Sequence, residues 1–398
     1  MRSATAGAHT SGICPYDTTP ITVLTAAACA TSSHISAPTR RALRRSSSSS
    51  VNPNTWGLPV SASVIGTKYY LNLNYVCNER CVFCASDLTN NFRLDGRTPW
   101  LTLAEIRAWV GDTPPGPQDR VLLAGGEPTL HRDLLAIVRF LGVRCPNVTL
   151  FSNGLRLADP AFARACVEAG VTRFEIALFG ASAAAHEAVT RVRGSFARTL
   201  AALGVLTALR REHDFTVEVR LLVSRQSAAE NPAIVRLVHT RVPAVDAFSL
   251  NRLILSQHAA AVDASISWEA ARASINESAR LIRAYGYELV FGAIPLCLFE
   301  GDNALYVRDA LARRVERIAR GVEPATWRTR YLDPALPPLP GGEAVPVARL
   351  ALPDPCLPCD YLPVCGRVES WYVRGYGTAG LRTVRVADPA AVAPNGDP

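Results

Sequence analysis

The chain has 398 residues, of which 48% are hydrophobic, so it can build one large barrel-type domain and a smaller one around buried cores. No apolar run reaches the length that spans a bilayer, and we expect a cytoplasmic protein with no membrane partner. The formal net charge of +8 comes almost wholly from arginine, since Lys68 is the only lysine, which indicates coding bias. No compact run of basic residues alternates with aromatics, so a nucleic-acid partner is not expected.

Residues 1–60 are rich in Ser, Thr and Ala, contain Asp17 as their only acidic residue, and include a run of five serines after four arginines. This composition cannot bury enough apolar surface to order itself, so it predicts a disordered low-complexity segment. Residues 21–30 are as apolar as the core of a signal peptide, but Arg2 is the only basic residue before them. We favour an overextended start codon or a dispensable tail over a targeting peptide.

From residue 68 onward the sequence predicts strands that alternate with helices, which is typical of parallel β/α units. A helix near 268–285, an apolar strand over 288–299 and a helix near 303–320 follow, and a Pro-rich linker over 333–346 precedes the end of the chain. The predicted strands of the repeated part are 68–74, 120–124, 148–152, 172–178, 215–223 and 247–254, and its helices are 102–110, 131–141, 160–169, 195–212 and 232–240.

Three cysteines follow the first predicted strand in a C-x₃-C-x₂-C array, namely Cys77, Cys81 and Cys84. Three thiolates so close together can converge on one metal centre, and soft thiolates select iron–sulfur clusters, zinc or copper(I). Zinc normally takes a fourth Cys or His nearby, and none follows within the next forty residues. A cubane held by three cysteines instead leaves one iron open to another ligand.

This spacing, with the aromatic Phe83 just before the last cysteine, resembles the radical S-adenosylmethionine (radical SAM) superfamily. The resemblance implies an enzyme in which a [4Fe–4S] cluster binds S-adenosylmethionine at its open iron. An electron from the cluster then cleaves the sulfonium to a 5′-deoxyadenosyl radical, which abstracts hydrogen from a substrate. It also implies a flavodoxin- or ferredoxin-type reductant. Six consecutive β/α units over about 68–255 match the incomplete (β/α)₆ barrel of that family.

Further motifs resemble the family's cofactor contacts. Ala124-Gly-Gly-Glu-Pro-Thr129 is similar to the GGE motif, whose backbone and carboxylate hold the methionyl amine, and Phe151-Ser-Asn-Gly154 is similar to a T-N-G motif. A guanidinium can bind the methionyl carboxylate through two hydrogen bonds. Where many relatives read I-S-L-D-G, residues 176–180 read I-A-L-F-G, so Ser182 or Ser249 would have to hold the adenosyl group. The predicted cofactor-binding residues are Phe83, Gly125, Gly126, Glu127, Asn153, Arg220 and Ser249.

The alternation of apolar and polar residues along the fifth strand predicts which side chains face the barrel lumen. Its apolar residues would face the helices, so Glu218 and Arg220 would point inward. The same rule places Glu175, Ser249 and Asn251 in the lumen, where a buried polar network is the alternative to a catalytic role. Glu175 and Glu218 are our candidates for proton transfer.

A second group of cysteines, Cys356, Cys359 and Cys365, has C-x₂-C-x₅-C spacing. It resembles part of the C-terminal motif of the SPASM/twitch subgroup, which carries auxiliary iron–sulfur clusters. The resemblance implies one auxiliary [4Fe–4S] cluster with Cys297 as fourth ligand. A Cys₄ zinc site is the main alternative, and in a third interpretation Cys297 is a core thiol and one iron stays open.

The predicted architecture is therefore α/β, with an incomplete (β/α)₆ barrel and a small twitch-like C-terminal domain. Its segments would be 1–60 (disordered), 61–258 (barrel), 259–330 (bridging helices and a strand carrying Cys297) and 331–398 (linker and auxiliary cluster). The predicted function is a radical SAM enzyme that oxidises a ribosomal peptide or a small natural-product or sugar precursor. The alternative is a non-catalytic iron–sulfur electron carrier or redox sensor.

Overall fold

The computed structural model describes residues 65–84, 99–111, 114–143, 145–253, 263–292, 294–320, 323, 326–333, 350–361, 365 and 368–385. The predicted low-complexity segment 1–60 and nearly all of the Pro-rich linker lie outside these residues. The described part of the chain holds one large parallel sheet and one short antiparallel pair of strands.

Eight parallel strands form the large sheet in the order β7-β6-β5-β4-β3-β2-β1-β8. This arrangement confirms the predicted parallel α/β fold and is consistent with a partial (β/α) barrel. The six expected strands are present, and β7 and β8 extend the sheet at its two edges. The strands are β1 (Ile65–Asn72), β2 (Arg120–Ala124), β3 (Val148–Ser152), β4 (Arg173–Ala177), β5 (Thr216–Val223), β6 (Ala247–Arg252), β7 (Glu288–Phe291) and β8 (Thr326–Leu332).

Helices connect these strands and cover one face of the sheet. The first begins at the predicted cap, where the Thr102 hydroxyl accepts from the backbone N–H of Glu105 and the Glu105 carboxylate accepts from that of Thr102. The helices are α1 (Leu103–Val110), α2 (Leu134–Gly142), α3 (Pro160–Ala169), α4 (Ala183–Thr190), α5 (Ser195–Leu209), α6 (Asn231–Arg241), α7 (Trp268–Ala284), α8 (Gly301–Ala319) and α9 (Ser370–Tyr376).

The main hydrophobic core lies between the sheet and these helices. On β5, Val217, Val219 and Leu221 are fully buried in this core, as the alternation predicted. Because paired residues of neighbouring parallel strands share a face, the intervening polar residues of β5 lie on the opposite face together with those of β4 and β6. The sheet thus separates an apolar side from a polar one.

Two features of the predicted element pattern were wrong. The apolar segment 288–299 is not one strand, because β7 ends at Phe291 and Cys297 lies in a 3₁₀ turn, Leu296–Leu298. Helix α4 was missed, although the Ser182 hydroxyl caps it by accepting from the N–H of Ala185. No single described helix is long and apolar enough to cross a membrane, and only the bent pair α4 and α5 meets that test when taken together.

Candidate radical SAM site

The cysteine loop starts where the chain leaves β1, and its first residues pair with the loop after β2. The N–H of Gly126 donates to the Asn74 carbonyl at 2.6 Å, and that of Glu127 donates to the Val76 carbonyl at 2.8 Å. A Cβ at Gly126 would lie 2.5 Å from the Val76 carbonyl oxygen. The close approach that this glycine permits in the structure is therefore to the cysteine loop rather than to a ligand.

The three thiols of this loop lie near one another and are largely buried. The pKa of the Cys77 thiol is raised to about 12, mainly by burial and also by the nearby Glu127, Cys84 and Glu79, while the hydrogen bond from the Glu79 N–H opposes the rise. Burial also raises the pKa of Cys81 well above its usual value. Uncompensated thiolates are thus unfavourable here, and cationic metal would supply the missing compensation. The residues present fit a cluster in this respect, since all three are free cysteines.

The opposite side of the loop is fixed by the end of α4. The N–H groups of Arg80 and Val82 donate to the carbonyls of Thr190 and Val189 at 2.9 and 3.0 Å, so this short segment is hydrogen-bonded to the helix terminus. Above it, the rings of Phe83 and Phe179 meet edge to face with centroids 5.4 Å apart. The loop is therefore held by backbone contacts from two independent parts of the barrel.

The unusual sequence at the end of β4 builds an apolar wall beside the cysteine loop. Phe83, Phe179, Val189 and Leu253 form a buried cluster, against which Ala177 packs. The sequence predicts that Ser182 or Ser249 replaces the polar residues that many relatives have here. The Ser182 hydroxyl caps α4, while Ser249 is buried and accepts from the Asn251 amide at 2.8 Å. Of the two, Ser249 lies on the same sheet face as Arg220, its pairing partner on β5.

Glu127 is almost fully buried, and its carboxylate is surrounded by donors of the protein itself. Oε1 accepts from the N–H and hydroxyl of Thr129 at 3.0 and 2.6 Å and from the Ser152 hydroxyl at 2.8 Å. Oε2 accepts from the N–H of Asn153 at 2.8 Å. Burial raises the pKa of this carboxyl, and the four hydrogen bonds oppose that rise. The carboxylate therefore ties the loop after β2 to the loop after β3.

Asn153 continues this connection to the cysteine loop. Its side-chain amide donates to Oδ1 of Asn78 at 2.7 Å and lies 3.9 Å from the sulfur of Cys77. Its own Oδ1 accepts from the N–H of Leu155 at 3.0 Å. The structure thus brings the predicted Asn153 and Glu127 next to the first cysteine.

The polar face of β4 and β5 carries two ion pairs. Arg220 contacts Glu175 at 2.8 Å and lies over the Phe151 ring at 4.7 Å, and Arg173 contacts Glu218 at 2.7 Å. Glu175 and Glu218 are direct neighbours across the two strands. Burial, and then the charge of Glu218, raise the pKa of Glu175 to about 7.

These pairs bear on the roles predicted for the lumen residues. Glu218 is 2% exposed and is engaged by Arg173, which matches the structural alternative better than proton transfer. Arg220 already binds one carboxylate through Nη1, so its remaining donors are those available to a second one. Glu175 keeps a pKa near neutrality and remains a candidate for proton transfer.

Comparison with known proteins agrees with this geometry. Residues 71–223 match the model of the Radical SAM superfamily. This range contains the end of β1, the cysteine loop, the Gly-Gly-Glu loop and β2 to β5. This part of the chain is therefore similar to the radical SAM superfamily.

Two curated relatives show how far the sequence likeness extends. The AdoMet-dependent heme synthase of Methanosarcina barkeri is 29% identical over 154 residues, which are 39% of this chain and 42% of that protein. The GTP 3′,8-cyclase of Synechococcus elongatus is 38% identical over 145 residues, 35% of this chain and 42% of that protein. The matches thus span about two fifths of the length of these relatives.

Two solved structures resemble the chain at low identity. Streptococcus suis SuiB bound to S-adenosylmethionine has a TM-score of 0.49 at 12% identity, and the match covers 81% of this chain and 77% of that one. Methylornithine synthase (PylB) has a TM-score of 0.43 at 16% identity, with 84% and 87% covered.

Beyond the radical SAM domain, four cysteines line one cavity. Cys297, Cys356, Cys359 and Cys365 surround it together with Arg382. The pKa of Cys297 is raised to about 11, mainly by burial and also by the other three thiols, while hydrogen bonding to the Arg382 backbone opposes the rise. The short strands β9 (Leu350–Ala351) and β10 (Val368–Glu369) pair beside this cavity. The structure therefore brings together the four residues that the sequence suggested for a second centre.

Among the residues that the structure describes, no three His, Cys, Asp or Glu side chains lie in the arrangement that holds a single metal ion. A cubane makes a different demand, because each of its thiolates binds a different iron. The two remaining described cysteines behave as small core residues. Cys145 and Cys166 are buried in the main hydrophobic core.

Three parts of the site were missed by sequence reasoning. Arg382 donates to the carbonyls of Cys297 and Phe299 at 2.9 and 2.7 Å, so it fixes the turn that carries the fourth cysteine. Asp333 contacts the start of the cysteine loop. The end of α4 holds the same loop from the other side. Only α4 had a local signal, the capping serine.

Proposed function

We propose that this chain is a radical SAM enzyme in which Cys77, Cys81 and Cys84 hold a [4Fe–4S] cluster that binds S-adenosylmethionine. The single observation that carries the proposal is a loop of three half-buried free cysteines within the superfamily match, backed by the Gly-Gly-Glu loop and by Asn153. When bound, the cluster and S-adenosylmethionine supply one-electron cleavage of the sulfonium and a 5′-deoxyadenosyl radical, and a flavodoxin- or ferredoxin-type protein is the proposed reductant.

The residues of the chain would orient the cofactor and exclude water from it. The buried Phe83 and Phe179 present an apolar wall beside the cysteine loop, where water would otherwise quench reactive species. Asn153 and the free donors of Arg220 are the groups we assign to polar parts of S-adenosylmethionine, and Ser249 lies beside Arg220. Gly125, Gly126 and Glu127 would act mainly by fixing the loops, since the Glu127 carboxylate is only 1% exposed.

A second, auxiliary [4Fe–4S] cluster is proposed at Cys297, Cys356, Cys359 and Cys365. The shared cavity and the mutual effect of the thiols on the pKa of Cys297 support a common centre. The cluster would supply an acceptor for one electron. The net reaction would then be oxidative: one hydrogen atom passes from substrate to the deoxyadenosyl group, one electron passes to the acceptor, and one proton leaves. Glu175, with its pKa near 7, is our candidate to take that proton.

For the substrate, a small molecule is our first hypothesis. The names of the curated relatives, a heme synthase and GTP 3′,8-cyclases, support this choice because both concern small molecules. A ribosomal peptide is the second hypothesis, since SuiB has been solved with its precursor peptide SuiA. Turnover assays would distinguish the two hypotheses, because a small precursor and a peptide differ in whether a leader sequence is needed for turnover.

Metal counting tests the two proposed centres separately. The protein would be reconstituted without oxygen, and iron, sulfide and zinc would be measured on the wild type and on two triple cysteine-to-alanine variants, one for each group. The proposal predicts about eight irons in the wild type and about four in each variant. A wild type with about four irons and one zinc would assign the C-terminal group to zinc. Loss of all iron from the Cys77/Cys81/Cys84 variant would leave the second group without a cluster.

A further inference from the structure

A buried carboxylate from the C-terminal half of the chain contacts the beginning of the cysteine loop. Asp333 directly follows β8 and is 5% exposed. Its two carboxylate oxygens each lie 2.7 Å from the hydroxyl of Tyr75, and one also accepts from the Asn72 side-chain amide at 2.7 Å. The hydroxyl of Tyr331 donates to the same carboxylate at 3.3 Å.

Strand pairing explains why these residues meet although 258 positions separate Tyr75 from Asp333. The edge strand β8 runs parallel to β1, with Leu332 opposite Leu71. Asp333, the residue after Leu332, is therefore level with Asn72, where the chain leaves β1 for the cysteine loop. Tyr75 is 4% exposed and lies two residues before Cys77.

The described backbone hydrogen bonds of the same segment come from the chain just before α1 and from the loop after β2. The N–H of Tyr75 donates to the Pro99 carbonyl at 3.0 Å, and the carbonyl of Asn74 accepts from Gly126. The Asp333 contact differs because it joins side chains and comes from the sheet edge. Hydrogen bonds to a carboxylate are stronger than neutral ones, and removing one partner leaves the other buried and unsatisfied.

We propose that Asp333 is a positioning residue of the cofactor site, which holds Tyr75 and Asn72 and thereby fixes where Cys77 is presented to the cluster. This inference rests on the proposed function, because it assigns a purpose to the geometry of Cys77. The pairing of β8 with β1 therefore contributes to the geometry of the cofactor site. A cysteine loop without this contact would retain its three thiols but lose their fixed arrangement.

Three conservative variants of the full chain test this role. Asp333→Asn removes the charge, and Tyr75→Phe removes the hydroxyl next to the loop. Tyr331→Phe is the matched control, since it removes a hydroxyl from the same carboxylate but on β8 itself. The reconstituted proteins would be compared by the electron paramagnetic resonance (EPR) spectrum of the reduced cluster, by S-adenosylmethionine binding in equilibrium dialysis, and by thermal midpoint.

We expect Asp333→Asn and Tyr75→Phe to keep iron, change the spectrum and weaken binding about tenfold, while the control keeps the wild-type spectrum and affinity. The Asp333→Asn/Tyr75→Phe double variant should bind no worse than the weaker single variant, because both changes break one contact. If both single variants keep the wild-type spectrum and affinity and only lower the thermal midpoint, Asp333 is merely structural and the inference is wrong.

Alkylation of the cluster-free full chain separates this inference from the proposed function. Peptide mass spectrometry would follow the reaction of Cys77 with iodoacetamide, using Cys359 as the internal reference. We expect Tyr75→Phe to accelerate alkylation of Cys77 severalfold relative to Cys359, because the loop is no longer fixed. An unchanged ratio would overturn the inference, whereas a wild type that binds no S-adenosylmethionine would overturn the proposed function.

Discussion

The substitution Glu127→Gln distinguishes two roles of the carboxylate in the Gly-Gly-Glu loop. A residue that only binds the methionyl amine contributes nothing to the stability of the cofactor-free protein. In the structure, however, the carboxylate joins Thr129, Ser152 and Asn153 through four hydrogen bonds. We therefore expect Glu127→Gln to destabilise the protein in the absence of any cofactor.

The magnitude follows from the donors around the two oxygens. A glutamine that keeps its oxygen in the place of Oε1 turns an NH₂ group toward the N–H of Asn153, so one hydrogen bond is lost and the other three lose their charge. Hydrogen bonds to charged groups contribute about 1.5–3 kcal/mol and neutral ones about 1 kcal/mol. Removing the charge also removes the cost of burying it, which is what raises the pKa of Glu127. The net expected loss is about 2 kcal/mol.

Urea unfolding of the cluster-free chain under reducing conditions, followed by tryptophan fluorescence, would measure this loss. Thr129→Val is the matched control, because it removes only the hydroxyl that donates to the carboxylate at 2.6 Å, and we expect it to cost about 1.5 kcal/mol, the lower end for a hydrogen bond to a charged group. The reasoning is refuted if Glu127→Gln unfolds with the wild-type free energy and loses only its affinity for S-adenosylmethionine. In that case the carboxylate is a ligand and not a tie between loops.

Three further predictions concern other parts of the chain. Burial lowers the pKa of His186 to about 4, so the folded protein keeps this side chain neutral, whereas the unfolded chain binds more protons between pH 6.5 and 4. Up to about 3 kcal/mol of stability should therefore be lost as the pH falls through this range. Chemical denaturation at several pH values should find a smaller pH dependence in His186→Phe. Gly126→Ala should abolish assembly of the first cluster, because the added Cβ would meet the Val76 carbonyl, and an iron count would show the loss. Gly204→Ala, where nothing lies within 4 Å of the added Cβ, should instead raise the free energy of unfolding by about 0.5–1 kcal/mol in a urea titration. Arg382→Gln should lower the reduction potential of the second centre in a redox titration, since a cation lining the cavity is lost, while Arg385→Gln, whose partner is the surface Asp360, should leave it unchanged.

The face of each strand could be predicted from the sequence, because side chains of a strand alternate with a period of two. The fully buried Val217 and Val219 and the polar Glu218 and Arg220 follow that rule. The partners of the polar residues could not be predicted, since strand parity does not tell which neighbours pair. Arg220 was assigned to the methionyl carboxylate, and the structure shows that it also binds Glu175.

The distant contacts of the site lay beyond sequence reasoning for a different reason. Cys297 was assigned to a strand because its segment is apolar, and the structure places it in a turn fixed by Arg382, 85 positions away. Asp333 was assigned to a linker because prolines follow it, and the structure places it directly after β8 with a buried carboxylate. Spacing along the chain predicts local elements, whereas these contacts depend on how the edge strand and the C-terminal segment pack.

The central claim is that the loop of Cys77, Cys81 and Cys84 supports radical SAM chemistry, and formation of 5′-deoxyadenosine tests it most directly. Reconstituted wild type and the Cys77→Ala/Cys81→Ala/Cys84→Ala variant would be incubated with dithionite and S-adenosylmethionine, and the product measured by mass spectrometry. The account predicts 5′-deoxyadenosine from the wild type and none from the variant. Equal amounts from both proteins, or a fully loaded wild type that neither binds nor cleaves S-adenosylmethionine, would contradict it and favour an electron carrier.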